Sequence, residues 1–265
     1  MELVLYALGA IGTLLVILLL VFVLRGYFEA NKIVKKKSIG EYYREIQNSA
    51  NYCSIQEISA NVKMIVVYLE DKEFFEHHGY NVRRIFQAAY TNIKRRKKKM
   101  GGSTITQQLA KNMYFSFKKT FKRKIAELFV ARKLEKELSK EEILELYLNI
   151  IYYGMEQYNI RDACQFYFQK YPSELSLNQA LTLGCLLPAP TKYNPLNEEG
   201  YFDKAKKIAL ERLVNRAVLE EEDTELFIKA AYNEDVKNET TLYYERKFVE
   251  KYEELRANKN QKRKH

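Results

Sequence analysis

The sequence predicts a mainly α-helical body behind one N-terminal membrane-spanning helix, on three observations. The first is an uncharged run of 22 residues, Leu3 to Leu24, reading LVLYALGAIGTLLVILLLVFVL. The second is that apolar residues in the rest of the chain recur at helical spacing, with no alternating strand runs. The third is the scarcity of interruptions, ten Gly and four Pro in 265 residues.

The first segment comes first in the argument because it decides the compartment. At about 1.5 Å per residue, 22 residues make roughly 33 Å of helix, enough to cross a bilayer core. A cleaved signal peptide has a shorter apolar region, a basic start and a small-residue cleavage site, and this segment has none of them. It reads as a single-pass anchor. Arg25, Lys32, Lys35, Lys36 and Lys37 follow the span, so the flanking charges alone place the body on the cytoplasmic side.

Along the body, Ser59 is a cap for a helix through VKMIVVYLEDKEFF, and Val82–Lys97 is a second candidate. Thr104-x-x-Gln107, Ser139-x-x-Glu142 and Ser176-x-x-Gln179 each have the form of a capping box. Each precedes an apolar-periodic stretch: ITQQLAKNMYF, KEEILELYLNII and LNQALTLGCLL. The last stops at Pro188-Ala189-Pro190, since proline cannot continue the hydrogen-bond ladder. Thr120–Leu138 carries an apolar stripe of Ile125, Leu128, Phe129 and Leu134. Residues 202–258 read as further charged amphipathic helices, and 258–265 as a frayed basic tail.

The chain has 44 Lys+Arg against 34 Asp+Glu. All 44 bases and 33 of the acids follow residue 24, so the body carries +11 (44 − 33). That excess points to an anionic partner: nucleic acid, a lipid surface or a phosphorylated substrate. Cys53, Cys164 and Cys185 are too widely spaced for a disulfide framework or a zinc site. Three histidines, His77, His78 and His265, exclude a His-based metal centre.

Three constellations could carry chemistry. Glu70-Asp71 ends an apolar helix; such acids are commonly solvated, but at a cleft mouth a partly desolvated carboxylate becomes a general base. Gly101-Gly102-Ser103-Thr104-Ile105-Thr106-Gln107-Gln108 concentrates hydroxyls and amides at a helix start, where free N–H groups and the dipole favour anions or sugar hydroxyls. It lacks the spacing of a nucleotide P-loop. Lys111 lies one turn past Gln107, placed to reach a phosphate. Basic blocks flank this element, Lys94–Lys99 on one side and Lys118, Lys119, Lys122, Arg123 and Lys124 on the other. No nucleic-acid-binding signature accompanies them, and beside a membrane span anionic headgroups explain them more simply. Arg123 and Glu127 are spaced i, i+4, as in an ordinary surface ion pair.

In order, these motifs resemble those of the peptidoglycan glycosyltransferases (glycosyltransferase family 51), the transglycosylase module of class A penicillin-binding proteins and of their monofunctional relatives. E-D-x-x-F-x-x-H-x-G is Glu70 to Gly79. G-[GA]-S-T-I-T-Q-Q-L-x-K-N is complete as Gly101 to Asn112. R-K-x-x-E is Arg123 to Glu127, and I-L-E-x-Y-L-N is Ile143 to Asn149, followed by Tyr153-Gly154. Pro188-Ala189-Pro190 with Tyr193-Asn194-Pro195 resembles the family's closing segment, so the resemblance covers about Ser54 to Leu196.

The resemblance implies a lysozyme-like helical glycosyltransferase domain over 54–200, behind an anchor (1–25) and a juxtamembrane segment (26–53), with a C-terminal helical extension over 201–265. It implies polymerisation of lipid II into β-1,4-linked glycan, with inversion and release of undecaprenyl pyrophosphate. Glu70 and Glu127 are then the catalytic carboxylates, Glu70 as general base. Ser103, Thr104, Gln107, Lys111, Arg123 and Lys124 bind substrate, the cations meeting the charge of the leaving group. Asp71, Phe74, His77, Gly102, Asn112 and Asn149 support them. The implied cofactor is at most a divalent cation, Mg2+ or Mn2+, near Glu127, with no nucleotide and no zinc. Implied partners are lipid II, the lipid-linked growing glycan, the membrane and other cell-wall synthesis proteins, and no nucleic acid.

Such a reaction belongs on the outer face of the bacterial cytoplasmic membrane, opposite to the side that the flanking charges favour. Two departures stand out: Asn81 where the family usually has Asp, and Glu156 and Asn159 where bifunctional members tend to have glycines. Ser116-x-x-Lys119 fits a transpeptidase nucleophile pattern, but no K-T-G follows, so the module is expected to be monofunctional. Alternatives on the same residues are a glycan-cleaving enzyme of lysozyme-like fold, which has no need of a basic pyrophosphate site, and a non-catalytic membrane-anchored cell-wall scaffold, which has no need of both acids.

Overall fold

The computed structural model describes residues 1–94, 101–115, 120–197 and 199–217, with positions 250, 253, 254 and 257. Most of the expected basic block at 94–99, the Ser116-x-x-Lys119 pattern and the basic tail lie outside the described residues. Among those described the protein is helical, and the sole extended pairing is a bridge between Gly154 and Gln157.

Helix α1 (Glu2–Lys36) contains the whole apolar run and continues through the boundary that the sequence suggests at residue 25. From Val4 to Val21 it is exposed on every side, as a helix bathed in lipid must be. After a short break follows α2 (Ile39–Gln47), started by a Ser38/Glu41 capping box. Next comes α3 (Ala60–Asp71), capped by Ser59, whose Oγ accepts from the Val62 N–H at 3.3 Å. Its residues Val62, Met64, Ile65, Val66, Val67, Tyr68 and Leu69 are all buried. It is the central helix of the body.

Helix α4 (Val82–Lys94) is capped by Asn81, whose Oδ1 accepts from the Arg84 N–H at 3.1 Å. Helices α5 (Ile105–Tyr114), α6 (Phe121–Glu137) and α7 (Lys140–Ile150) come next. Then follow α8 (Ile160–Phe168), α9 (Leu177–Leu186) and α10 (Tyr201–Ala217). The capping boxes expected at Thr104/Gln107, Ser139/Glu142 and Ser176/Gln179 are all formed. Each satisfies two backbone donors that a helix start otherwise leaves unpaired.

Packing sorts these helices into two groups. Around α3 lie α9 and α10, and α9 comes close because Gly184 has no side chain. A Cβ there would stand 2.6 Å from Ile65 Cγ2. The second group is the series α1, α6, α5, α7. Helix α6 is buried on two sides, which is why no single apolar stripe describes it. Ala126, Val130, Ala131 and Leu134 face the core, while Ile125 and Phe129 meet α1. Gly26 sits on Ile125 so closely that a Cβ would lie 2.4 Å from its Cγ2, and Tyr27 stacks edge-on against Phe129 at 5.4 Å.

The segment before α3 is tied down by α7. Asn149 accepts from the Cys53 N–H at 2.9 Å and donates to the Cys53 carbonyl at 2.8 Å. One turn earlier, Glu145 accepts from the Ile55 N–H at 2.7 Å, from the Tyr43 hydroxyl at 3.2 Å and from the Tyr52 hydroxyl. Asn149 therefore ties this segment to α7, and Glu145 is an equal partner that the sequence did not single out.

Candidate active site

Two neighbouring carboxylates at the end of α3 face different surroundings. Asp71 is wholly buried. It accepts from Arg84 Nη1 at 2.5 Å, from the Ile105 N–H at 3.0 Å and from His77 Nε2 at 2.7 Å. His77 Nδ1 accepts from the Gly79 N–H at 3.1 Å, so its Nε2 carries the proton given to Asp71. Gly79 has φ +103°, and a Cβ there would stand 2.9 Å from the Ala131 carbonyl. Phe74, fully buried, packs its ring against Phe75 and His77. Asp71 thus joins α3, the following loop, α4 and the start of α5.

Glu70 is half-buried and accepts from Gln108 Nε2 at 2.6 Å. Gln108 in turn accepts from the Tyr147 hydroxyl at 3.3 Å, which orients its amide. Burial pushes the Glu70 carboxyl above its ordinary value, and the Asp71 charge pushes the same way. The Gln108 hydrogen bond and the charges of Arg84 and Arg212 pull it back. A carboxylate in that balance holds a proton more readily than a solvated one, which suits a base.

The Gly-rich motif folds over the same place. Gly102 lies against α4, where a Cβ would stand 3.1 Å from Ala88 Cβ. Thr104 donates its hydroxyl to the Gly79 carbonyl at 2.6 Å and accepts from the Gln107 N–H at 3.1 Å. Gln107 Oε1 accepts from the Thr104 N–H at 3.0 Å. Both side chains are buried and serve the helix start through the Thr104 hydroxyl and Gln107 Oε1, while Gln107 Nε2 makes no hydrogen bond. Ser103 is the residue of this motif that turns outward, to Lys124 Nζ at 2.9 Å.

Lys124 also reaches Glu127 Oε2 at 3.0 Å, and Arg123 Nε lies 2.8 Å from the other oxygen. That i, i+4 contact is an ion pair, its N–H not aimed along the contact. Glu127 is 1% exposed, so a buried carboxylate holds both cations in place. Lys111 is half-buried nearby, and burial pushes its ammonium down from the ordinary value. The charges of Glu127 and Glu70 oppose that shift, while Arg123 and Lys124 add to it. Asn112, next on α5, is half-buried. Lys111 therefore lies within range of the charges of both carboxylates.

A divalent ion near Glu127 does not fit these residues. A single carboxylate flanked by two cations is a poor donor set for Mg2+ or Mn2+. Among the described residues no group of three or more His, Cys, Asp or Glu side chains converges.

Sequence reasoning missed Arg84, and it named Gln108 within the Gly-rich motif without giving it a role. Arg84 reads as one charge on an amphipathic helix, although a residue three beyond the Asn81 cap points back toward the helix start. Asn81 itself, the departure from Asp, donates its amide to Glu73 while capping α4; an Asp has no amide proton to give. At the other departure, Gly154, Met155 and Glu156 take φ of +89°, +47° and +62°. Glycine is the residue that adopts such angles without strain.

A family model described as transglycosylase matches residues 35–214. The monofunctional glycosyltransferase of Staphylococcus epidermidis (strain ATCC 12228) is 33% identical over 202 residues, 74% of this chain and 75% of that protein. That of Staphylococcus haemolyticus is 37% identical over 177 residues, 64% of this chain and 65% of that protein. Penicillin-binding protein 1F of Bacillus subtilis is 41% identical over 143 residues, 54% of this chain. The chain spans only 20% of that last protein's length.

Proposed function

Since the chain belongs to the transglycosylase family, we propose that it is a membrane-anchored peptidoglycan glycosyltransferase that joins lipid II units into β-1,4-linked glycan. The acceptor's 4-hydroxyl oxygen attacks C1 of the lipid-linked donor as Glu70 takes its proton. The bond from C1 to the pyrophosphate oxygen breaks, C1 inverts, and undecaprenyl pyrophosphate leaves with the electron pair. Lys111, Arg123 and Lys124 meet the charge that grows on the leaving group, where cations already fixed in place lower the barrier. Glu127 positions Arg123 and Lys124, Ser103 contacts the donor beside Lys124, and Gln108 orients Glu70. The catalytic body then lies on the outer face of the cytoplasmic membrane, with the N-terminus inside.

The observation that carries this reading is the pairing of a half-buried carboxylate with a cation cluster through one motif, whose Gln108 holds Glu70 at 2.6 Å and whose Ser103 meets Lys124 at 2.9 Å beside Arg123 and Glu127. A glycan hydrolase needs the first and not the second. The test is incubation of the detergent-solubilised protein with labelled lipid II, comparing native, Glu70→Gln and Glu127→Gln chains. The expected result is polymer from the native chain and almost none from Glu70→Gln. Equal product from both rejects Glu70 as the base, and cleavage of purified glycan without lipid II rejects the transferase. Protection of Lys35–Lys37 from external protease in intact cells would reverse the orientation.

A further inference from the structure

On the far side of α6 from the reaction site, α1 and α6 enclose a second cleft of about 330 Å³, lined by Arg25, Phe28, Glu29, Lys32 and Lys122. The four α1 residues stand at i, i+3, i+4 and i+7 and so share one face. Lys122 Nζ pairs with Glu29 Oε2 at 2.9 Å, which draws the α6 cation over the α1 face. Three cations and one carboxylate leave the cleft at +2. Arg25, Lys32 and Lys122 are exposed, and Phe28 is 65% exposed, an apolar ring set among charges.

Position along the anchor narrows the ligand. The uncharged run ends at Leu24, so Arg25 is the first charge beyond the hydrocarbon core. From Arg25 to Lys32 the unbroken helix rises about 10 Å, which places the cleft at the level of the lipid headgroups. Successive helix residues turn by about 100°, so Lys122 and Lys124 point to opposite sides of α6. Lys124 faces Ser103 and Glu127, and Lys122 faces Glu29. The cleft is therefore separate from the proposed pyrophosphate site.

We infer that this cleft binds the phosphate of one anionic membrane phospholipid, with Arg25, Lys32 and Lys122 around the headgroup and Phe28 against its glycerol and upper acyl carbons. Nothing in this depends on glycosyl transfer. A bound lipid would fix the height of α6, and with it Arg123 and Lys124, relative to the membrane surface.

The test uses the full chain in neutral detergent, with retained lipid counted by native mass spectrometry during titration with phosphatidylglycerol or phosphatidylcholine. The expected result is retention of phosphatidylglycerol in preference to phosphatidylcholine. An Arg25→Gln/Lys32→Gln double variant, which keeps the Lys122–Glu29 pair, should weaken it about tenfold or more. Lys35→Gln/Lys36→Gln, which removes two exposed charges outside the cleft, should retain native binding. Unchanged melting of both variants checks that they fold. Equal retention of phosphatidylcholine, native binding by the first double variant, or an equal loss in the second would overturn the inference. So would displacement of the lipid by free glycerol phosphate at equal concentration, which would assign the cleft to a soluble phosphate.

Discussion

Arg84 Nη1 lies 2.5 Å from Oδ1 of the fully buried Asp71, and its Nη2 donates to the Glu70 carbonyl at 2.9 Å. One guanidinium thus fixes both residues at the end of α3. Removing one partner of a buried ion pair strands the other and commonly costs about 3–5 kcal/mol. Arg84→Gln leaves Asp71 with His77 and the Ile105 N–H, so a loss near the lower end, about 3 kcal/mol, is expected in chemical denaturation. Its positive charge also lowers the proton affinity of Glu70. The acid limb of kcat/KM in Arg84→Gln should therefore move to higher pH, while Arg84→Lys should restore part of that shift.

Glu70 makes activity and stability respond to pH in opposite directions. As the proposed base it works deprotonated, so activity is expected to rise as pH passes its native pKa, which burial sets above the ordinary 4.5. For the fold, an elevated pKa means that the native state binds the proton more tightly than the unfolded chain does. The stability it contributes is full below about 4.5 and is lost as pH rises through the native value. Glu70→Gln should lose roughly 10²–10⁴-fold in rate. It should also melt higher than the native chain at neutral pH, with the gap closing in acid.

Lys124 bridges Ser103 and Glu127, so its loss should reach further than either contact. Lys124→Gln is expected to reduce kcat/KM about 10²–10³-fold, the range for removing a group aimed at developing negative charge. Ser103→Ala keeps the cation and should lose several-fold less. Steady-state kinetics on lipid II separates the two; equal losses would mean that Lys124 acts only by holding Ser103.

Glu156 sits at φ +62° beside Met155 at φ +47°, in a turn closed by the Gln157 N–H on the Gly154 carbonyl at 2.9 Å. A left-handed conformation costs a residue with a Cβ about 1–2 kcal/mol, offset in part by the extra freedom of glycine in the unfolded chain. Glu156→Gly should stabilise the protein by about 0.5–1 kcal/mol, read from denaturant midpoints. Gly154→Ala should destabilise it, since a Cβ there would stand 2.9 Å from the Pro190 carbonyl oxygen.

What could be read from the sequence was local. Thr104, Ser139 and Ser176 begin their helices where their spacing to Gln107, Glu142 and Gln179 says they should, and Ser59 caps α3, because a cap acts within four residues. Glu70, Lys111, Arg123, Lys124 and Glu127 were identifiable by motif, and the fold brings their helices together. Less legible were choices made across space. Nothing local decides which of Glu70 and Asp71 turns inward, since that depends on Arg84 and His77 arriving from other segments. Thr104 and Gln107 carry groups suited to a sugar, and the helix start also uses the Thr104 hydroxyl and Gln107 Oε1. The two-sided burial of α6 hid its role as the contact between anchor and body, because one face packs on α1 and another on the core.

That α1 crosses its own domain boundary as one helix gives the anchor a rotational phase. One alanine inserted between Leu24 and Arg25 would lengthen the helix by only about 1.5 Å but turn the span by about 100° relative to the body. Seven would return it to within about 20° while raising the body about 10 Å. The azimuth of the span relative to the body is therefore dictated by the seating of Gly26 on Ile125, two residues past the end of the span.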